Sequence, residues 1–391
     1  MGRARAALGI AIGCLAACGR VGFDGAAGPG DAAGSIDGAA PGDGALPDGA
    51  DPTPGPGILV CGGSIVVGRP DALPLGLGLV STPMGVVAVW TQGAPAVSIT
   101  ALTGVRLAIA GDRITASTQV AALLSDAIGD FALVGDGDRR FLLAAQVATG
   151  ARFIPLDANF QPTGSRLISG IAITAHGIAE PLAPGGPFVA GWVESGDARF
   201  AQLDATGAVT GQVVTQPSAA DVAVRHAASR AVISWTTPDA TGCGAWALDA
   251  HFAPVIATPV IHAPGGPCQR SAITRDDVGT NFLMWIAGGG AHAQLGTDTD
   301  TVGTDLALGA PANDLEITTA PTGFFYAFTS GGNVAPGHVS VDATKVRGFA
   351  AVPHVAGSSI RMVAHDDGAL LLSVAAPAGR VEVSLTRLCE P

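Results

Sequence analysis

Phe188-Val189-Ala190-Gly191-Trp192 is a five-residue apolar run closed by an aromatic, and the chain repeats it. The pattern returns at residues 86–90, 141–145, 231–235, 281–285, 324–328 and 370–374, ending in Trp90, Ala145, Trp235, Trp285, Phe328 and Val374. Successive run ends lie 43 to 55 residues apart. A second landmark follows each run after 10 to 13 residues: Leu102, Leu156, Leu203, Leu248, Leu295, Val341 and Leu385. Asp157, Asp204, Asp249 and Asp342 stand directly after four of these, where an Asp side chain can bond its own backbone turn. Two landmarks kept in step through seven units mark an internal repeat.

A short alternating segment precedes each run, as in Ser271-Ala272-Ile273-Thr274, and another extended segment follows the Leu-Asp turn, as in residues 209–215. That makes four strands per unit at a mean period of about 47 residues. Such units resemble the blades of β-propellers, four strands in about 40–50 residues. The resemblance implies an all-β fold, a seven-bladed propeller of four-stranded blades over residues 58–391. The runs are apolar at nearly every position because a blade sandwiched between neighbours buries both faces of its central strand. No Trp-Asp pair ends the blades and no kelch double glycine recurs, so the likeness is to the general plan. A β-sandwich array or a β-solenoid is the alternative. The Trp residues at the run ends are read as core.

The N-terminal end is a different material. Arg3 and Arg5 precede an uncharged apolar stretch, residues 6–15, and then small residues. That is the order of an export signal. Leu15-Ala16-Ala17-Cys18 resembles the bacterial lipobox, which implies cleavage after residue 17 and a lipid on Cys18. Cys14 fits less well, since Ala11 stands where the lipobox has an aliphatic residue. The apolar stretch is too short for the roughly 20 residues that span a bilayer. Beyond Cys18, residues 19–57 hold 12 Gly, 8 Ala, 6 Pro and 6 Asp in 39 positions. A segment with so little to bury predicts a disordered tether over residues 18–57. Tethers of this composition resemble those of myxobacteria-like surface lipoproteins. The resemblance implies a cell-envelope protein whose membrane contact is the lipid on Cys18, with Gly19 favouring the outer membrane.

Residues 58–391 carry 17 Lys and Arg against 26 Asp and Glu, a formal charge of −9. Lys345 is the chain's one lysine. Nucleic acid as a partner is disfavoured on these grounds, because binding it rests on Lys and Arg clusters, and none is expected. An integral outer-membrane barrel is disfavoured too, since it needs two aromatic girdles and the chain has five Trp and one Tyr.

With Cys14 lost and Cys18 acylated, Cys61, Cys243, Cys268 and Cys389 remain, and an exported domain favours their oxidation. The repeat register chooses the pairing. The last unit supplies three strands, residues 360–364, 370–374 and 380–388, so residues 64–68 are expected as its fourth. The end of a third strand meets the start of an antiparallel fourth, which brings Cys389 to Cys61. In the fourth unit Cys243 begins the third strand and Cys268 follows the fourth, so these two are expected to pair.

Candidate chemistry is sparse. His176, His226 and His365 are read at one repeat position, the end of the first strand, but in units too far apart to share one ion. Residues 298–305 resemble a calcium loop, except that Val302 replaces a ligand and Gly309 the bidentate Glu. Gly288-Gly289-Gly290 and Gly331-Gly332 read as tight turns, lacking the helix a phosphate loop needs. Glu194 and Asp197 form one acidic turn, not an acid/base constellation. No metal, cofactor or catalytic residue is expected. The preferred reading is a non-catalytic envelope module, expected as a monomer, that binds a protein or glycan or acts as a scaffold. The alternative is a propeller enzyme acting on extracellular polymers, which would focus carboxylates, His or Arg at the channel mouth.

Overall fold

A computed structural model of the protein describes residues 57–92, 100–125, 127–137, 140–147, 150–169, 173–179, 181, 185–227, 230–237, 242–262, 268–299, 301–366 and 368–390. The expected export signal, Cys18 and the tether up to residue 56 lie outside them. The described chain is all-β, in seven antiparallel sheets that are the seven blades. Blade 3 gives the plan: Ile173–Ala179, Phe188–Glu194, Asp197–Leu203 and Val209–Gln216 follow one another from inside to outside. The first strands of the other blades are Leu77–Thr82, Ile128–Asp136, Asp221–Ala227, Ser271–Arg275, Leu315–Ala320 and Arg361–His365. Each packs on the next around the axis, and the last packs on the first, so the ring is closed.

The apolar runs are the second strands, and alternate side chains serve different neighbours. Val86, Ala88 and Trp90 share a cluster with Leu370 and Leu372 of blade 7, while Val87 and Val89 pack with Phe141 and Leu143 of blade 2. Phe324, Tyr326 and Phe328 face Phe282 and Met284 of blade 5; Phe325 and Ala327 face Ala369 and Leu371 of blade 7. First, third and fifth positions of a run therefore look backward round the ring, and second and fourth look forward. By that rule the run of blade 7 occupies residues 369–373, one residue earlier than the sequence pattern suggests. Four of the run ends are Trp, namely Trp90, Trp192, Trp235 and Trp285, and all four are buried core residues.

The second landmark holds strictly in three blades. Leu156, Leu203 and Leu248 pair with the first residues of their runs, Phe141, Phe188 and Ala231. In blade 6 that place belongs to Val339, opposite Phe324, while Val341 is 43% exposed. Leu107 holds it in blade 1, Gly296 in blade 5 and Leu388 in blade 7. The reason is turn length: a fixed count from the run assumes that every turn between second and third strands is the same. The Asp turns form as expected, with Asp157 Oδ1 accepting the N–H groups of Asn159 and Gln161, and Asp204 and Asp249 repeating the pattern.

Ring closure uses the N-terminal strands twice. Gly57–Ile58 adds to the outer strand of blade 1, Arg113–Leu124. Ser64–Gly68 then becomes the outer strand of blade 7, pairing Ser64 with Thr386. Between them Cys61 is bonded to Cys389, with Cα atoms 5.5 Å apart, and in blade 4 Cys243 is bonded to Cys268.

Candidate functional site

The seven first strands line a central channel with a cavity of about 340 Å3. Strand register sets what reaches it. Asp130, Asp221 and Asp314 occupy one equivalent position, just before the residue that pairs with the run end, on blades 2, 4 and 6. Arg270 holds that position on blade 5, and its carbonyl accepts the Ile286 N–H. One mouth of the channel is thus charged.

Two residues deeper, five blades present only Gly78, Ala132, Gly177, Ala223 and Ala272. The other two present Glu316 and Arg361. Small neighbours leave room at the axis for these long side chains. Arg361 Nη2 donates to Asp130 Oδ1 at 3.0 Å and to the Phe131 carbonyl at 2.9 Å; Nη1 reaches Glu316 Oε1 at 3.4 Å. Arg225 Nη2 completes the chain at Glu316 Oε2, also 3.4 Å. The belt Asp130–Arg361–Glu316–Arg225 crosses the channel through blades 2, 7, 6 and 4. Arg270 forms a second pair with Asp314 at 3.0 Å, and Asp314 also accepts the N–H groups of Leu315 and Ile360.

Burial and pairing tune these groups in opposite directions. Burial pushes the Asp221 carboxyl up to about 6, against the pull of Arg270 and of the Ser271 N–H that it accepts. Burial also raises Glu316, with Arg361 and Arg225 opposing. His176 lies at the same mouth on blade 3, and burial lowers its pKa, which keeps the imidazole neutral. Among the described residues, no Phe, Tyr or Trp lines the channel.

The histidines expected at one repeat position occupy three. His176 pairs with Trp192, the last residue of its run; His226 pairs with Ala231, the first; His365 pairs with Gly368, outside the run. The strands differ in length, so counting to a strand end misplaces them. In residues 298–305, Asp300 is outside the described residues, Asp298 is ion-paired to both Arg230 and Arg275, and Asp305 meets His292 at 3.0 Å. Glu194 opposes Asp197 across a hairpin, is ion-paired to Arg199 and accepts from Trp192 Nε1. Gly288 and Gly289, at φ +57° and +77°, form a two-residue hairpin turn. Among the described residues, no group of three His, Cys, Asp or Glu side chains is placed to hold a metal ion.

Sequence reading passed over the channel mouth: Asp130, Asp221, Arg225, Arg270, Asp314, Glu316 and Arg361. The usable signal is an Asp near the beginning of the first strand in units 2, 4 and 6: Asp130, Asp221 and Asp314.

No family model and no curated protein matches the chain. Solved structures do. Hydrazine synthase of Kuenenia stuttgartiensis is similar at 12% identity and a TM-score of 0.52, over 80% of this chain and 96% of that one. The structure of BBS1N in complex with ARL6DN is similar at 12% identity and 0.52, over 84% and 96%. At this identity the likeness concerns the fold. The chain is a seven-bladed β-propeller.

Proposed function

We propose that this is a lipid-anchored envelope protein, acylated at Cys18, whose propeller is a non-catalytic binding or scaffold module for a protein or glycan. The observation that carries the reading is the state of the channel carboxylates. Asp130, Asp314 and Glu316 each accept from a guanidinium, and Asp221 accepts a backbone N–H. A general acid or base has to reach the reacting proton. Carboxylates locked to arginines form a fixed recognition surface instead. BBS1N, a protein of similar fold, is solved with a protein partner, which supports such a role without deciding it, because fold does not fix function.

A propeller enzyme acting on extracellular polymers is the second reading, favoured by the raised Asp221 and Glu316. Incubation with envelope polysaccharides separates the two. Retention without new reducing ends or unsaturated products supports binding; products formed by the wild type and lost in Asp221→Asn establish the enzyme. The anchor is tested by Cys18→Ala, which is expected to leave the membrane fraction or stay as precursor. A mature-sized variant that still sediments with membranes contradicts it.

A further inference from the structure

The channel mouth has open charges of both signs. Exposure decides which heads are available: Arg270 is 43% and Asp130 35% exposed, against 16% for Arg361, 14% for Glu316 and 10% for Asp314. Arg361 and Glu316 at the centre are taken up by each other and by Asp130 and Arg225, while Asp130 and Arg270, each paired on one side, still line the cavity. Their arrangement is polar: Asp130, His176 and Asp221 come from consecutive blades 2, 3 and 4, and Arg270 from blade 5.

A cavity of about 340 Å3 lies at the small end of ligand pockets, which run from about 300 to 1,000 Å3. With no Phe, Tyr or Trp in the described lining, a sugar finds no broad apolar ring to stack on, so charge and hydrogen bonds must hold the occupant. A simple anion would meet Asp130, Asp221, Asp314 and Glu316. A simple cation would meet Arg225, Arg270 and Arg361.

We infer that the mouth binds a small zwitterion of the α-amino-acid class, its ammonium between Asp130, His176 and Asp221 and its carboxylate on Arg270. This rests on the binding reading only in treating the channel as a site; it adds the ligand class. Neutral His176 accepts a hydrogen bond from an ammonium, and Arg270 offers a carboxylate a planar pair of donors.

Titration calorimetry on the full chain tests it, with L-alanine as the zwitterion, acetate and methylammonium as its two halves, and glucose as a neutral polyol. L-alanine is expected to bind and both halves to be at least about tenfold weaker, the worth of one charge-assisted hydrogen bond. Arg270→Gln and Asp221→Asn, which retains an acceptor for the Ser271 N–H, should each weaken L-alanine about tenfold or more when measured well below the melting midpoint of each variant. Acetate or methylammonium binding as tightly as L-alanine, no L-alanine binding, or variants that bind it like wild type would overturn the inference. Glucose bound in place of L-alanine overturns it as well, yet leaves the glycan-binding reading standing.

Discussion

Arg361 Nη2 lies 3.0 Å from Asp130 Oδ1, so blade 7 is bonded to blade 2 across the face of blade 1. Inner strands of neighbouring blades share no backbone ladder. On blade 1, Gly76 and Gly78 lie against Phe131 of blade 2, where a Cβ on Gly76 would come within 2.6 Å of its ring. The same guanidinium holds Glu316 of blade 6, and one side chain therefore ties three sectors of the ring.

Removing Arg361 should expose the worth of that link. Arg361→Leu leaves Asp130 and Glu316 without their shared cation, though Glu316 keeps Arg225, and losing charge-assisted hydrogen bonds of this kind costs about 1.5–3 kcal/mol. Urea unfolding is expected to show a midpoint lowered accordingly, and Arg361→Leu combined with Glu316→Leu should recover part of the loss. A single variant as stable as wild type would reduce the belt to a solvated surface pair.

Asp221 makes stability depend on pH in a definite sense. Its carboxyl titrates at about 6 in the fold against an ordinary 3.8, so its favourable contribution is complete below about pH 4 and is lost as pH rises through 6. The gap sets an upper scale of about 3 kcal/mol. Asp221→Asn should therefore match wild type near pH 4 and exceed it at pH 7.5. Asp342 acts in the opposite window: hydrogen bonds from Ser340 and Thr344 hold it at about 2, so its contribution fades only as pH falls toward that value. Thermal melts of wild type and Asp221→Asn across this range check the first claim; parallel curves would contradict it.

The period of the propeller was legible because burial on both faces writes a continuous apolar run, and Trp192 or Trp285 marks its end. The channel was not. Which side chain points to the axis depends on register to a single residue, since a slip of one changes the face. Blade 7 carries such a slip, Ala369 standing where Leu370 was expected, and it moves Arg361 relative to the column of small residues that makes it conspicuous. His176 was singled out for the wrong reason, as one of three equivalent histidines, although it does lie at the charged mouth. The disulfides fared better because Cys61 and Cys389 depend on which strands meet, which tolerates an error of a residue or two.

Gly244 shows how tightly a blade closes on its aromatic. It pairs with Trp235, and a Cβ there would lie 2.3 Å from Trp235 Cζ2. Both residues are buried, so the ring cannot swing into solvent. Gly244→Ala should cost about 1–3 kcal/mol, the usual penalty for overpacking. Gly196 is the matched control for space: it has φ +83° but nothing near its absent Cβ. Denaturation of the two variants separates crowding at Gly244 from backbone strain at Gly196, and a Gly244→Ala variant as stable as wild type would contradict the crowding.

The two disulfides should differ in weight because they close loops of different length. Cys61–Cys389 spans 328 residues and Cys243–Cys268 spans 25. In the chain-entropy view a cross-link destabilises the unfolded state by an amount that grows with the logarithm of the loop, giving upper figures of about 5–6 and about 3–4 kcal/mol. Topology adds to the difference. The long bridge sits where Gly62 N–H donates to the Arg387 carbonyl and Ser64–Gly68 enters blade 7, the one place where the ring is shut by chain ends. The short bridge reinforces blade 4, whose third strand already pairs with both neighbours through ladders. Cys61→Ser with Cys389→Ser should therefore lower the melting midpoint more than Cys243→Ser with Cys268→Ser. The long-bridge variant should also gain proteolytic sensitivity first within residues 57–68. Peptide mapping of unreduced protein supplies the check on connectivity, where a Cys61–Cys243 or Cys268–Cys389 crosslink would refute this closure of the ring.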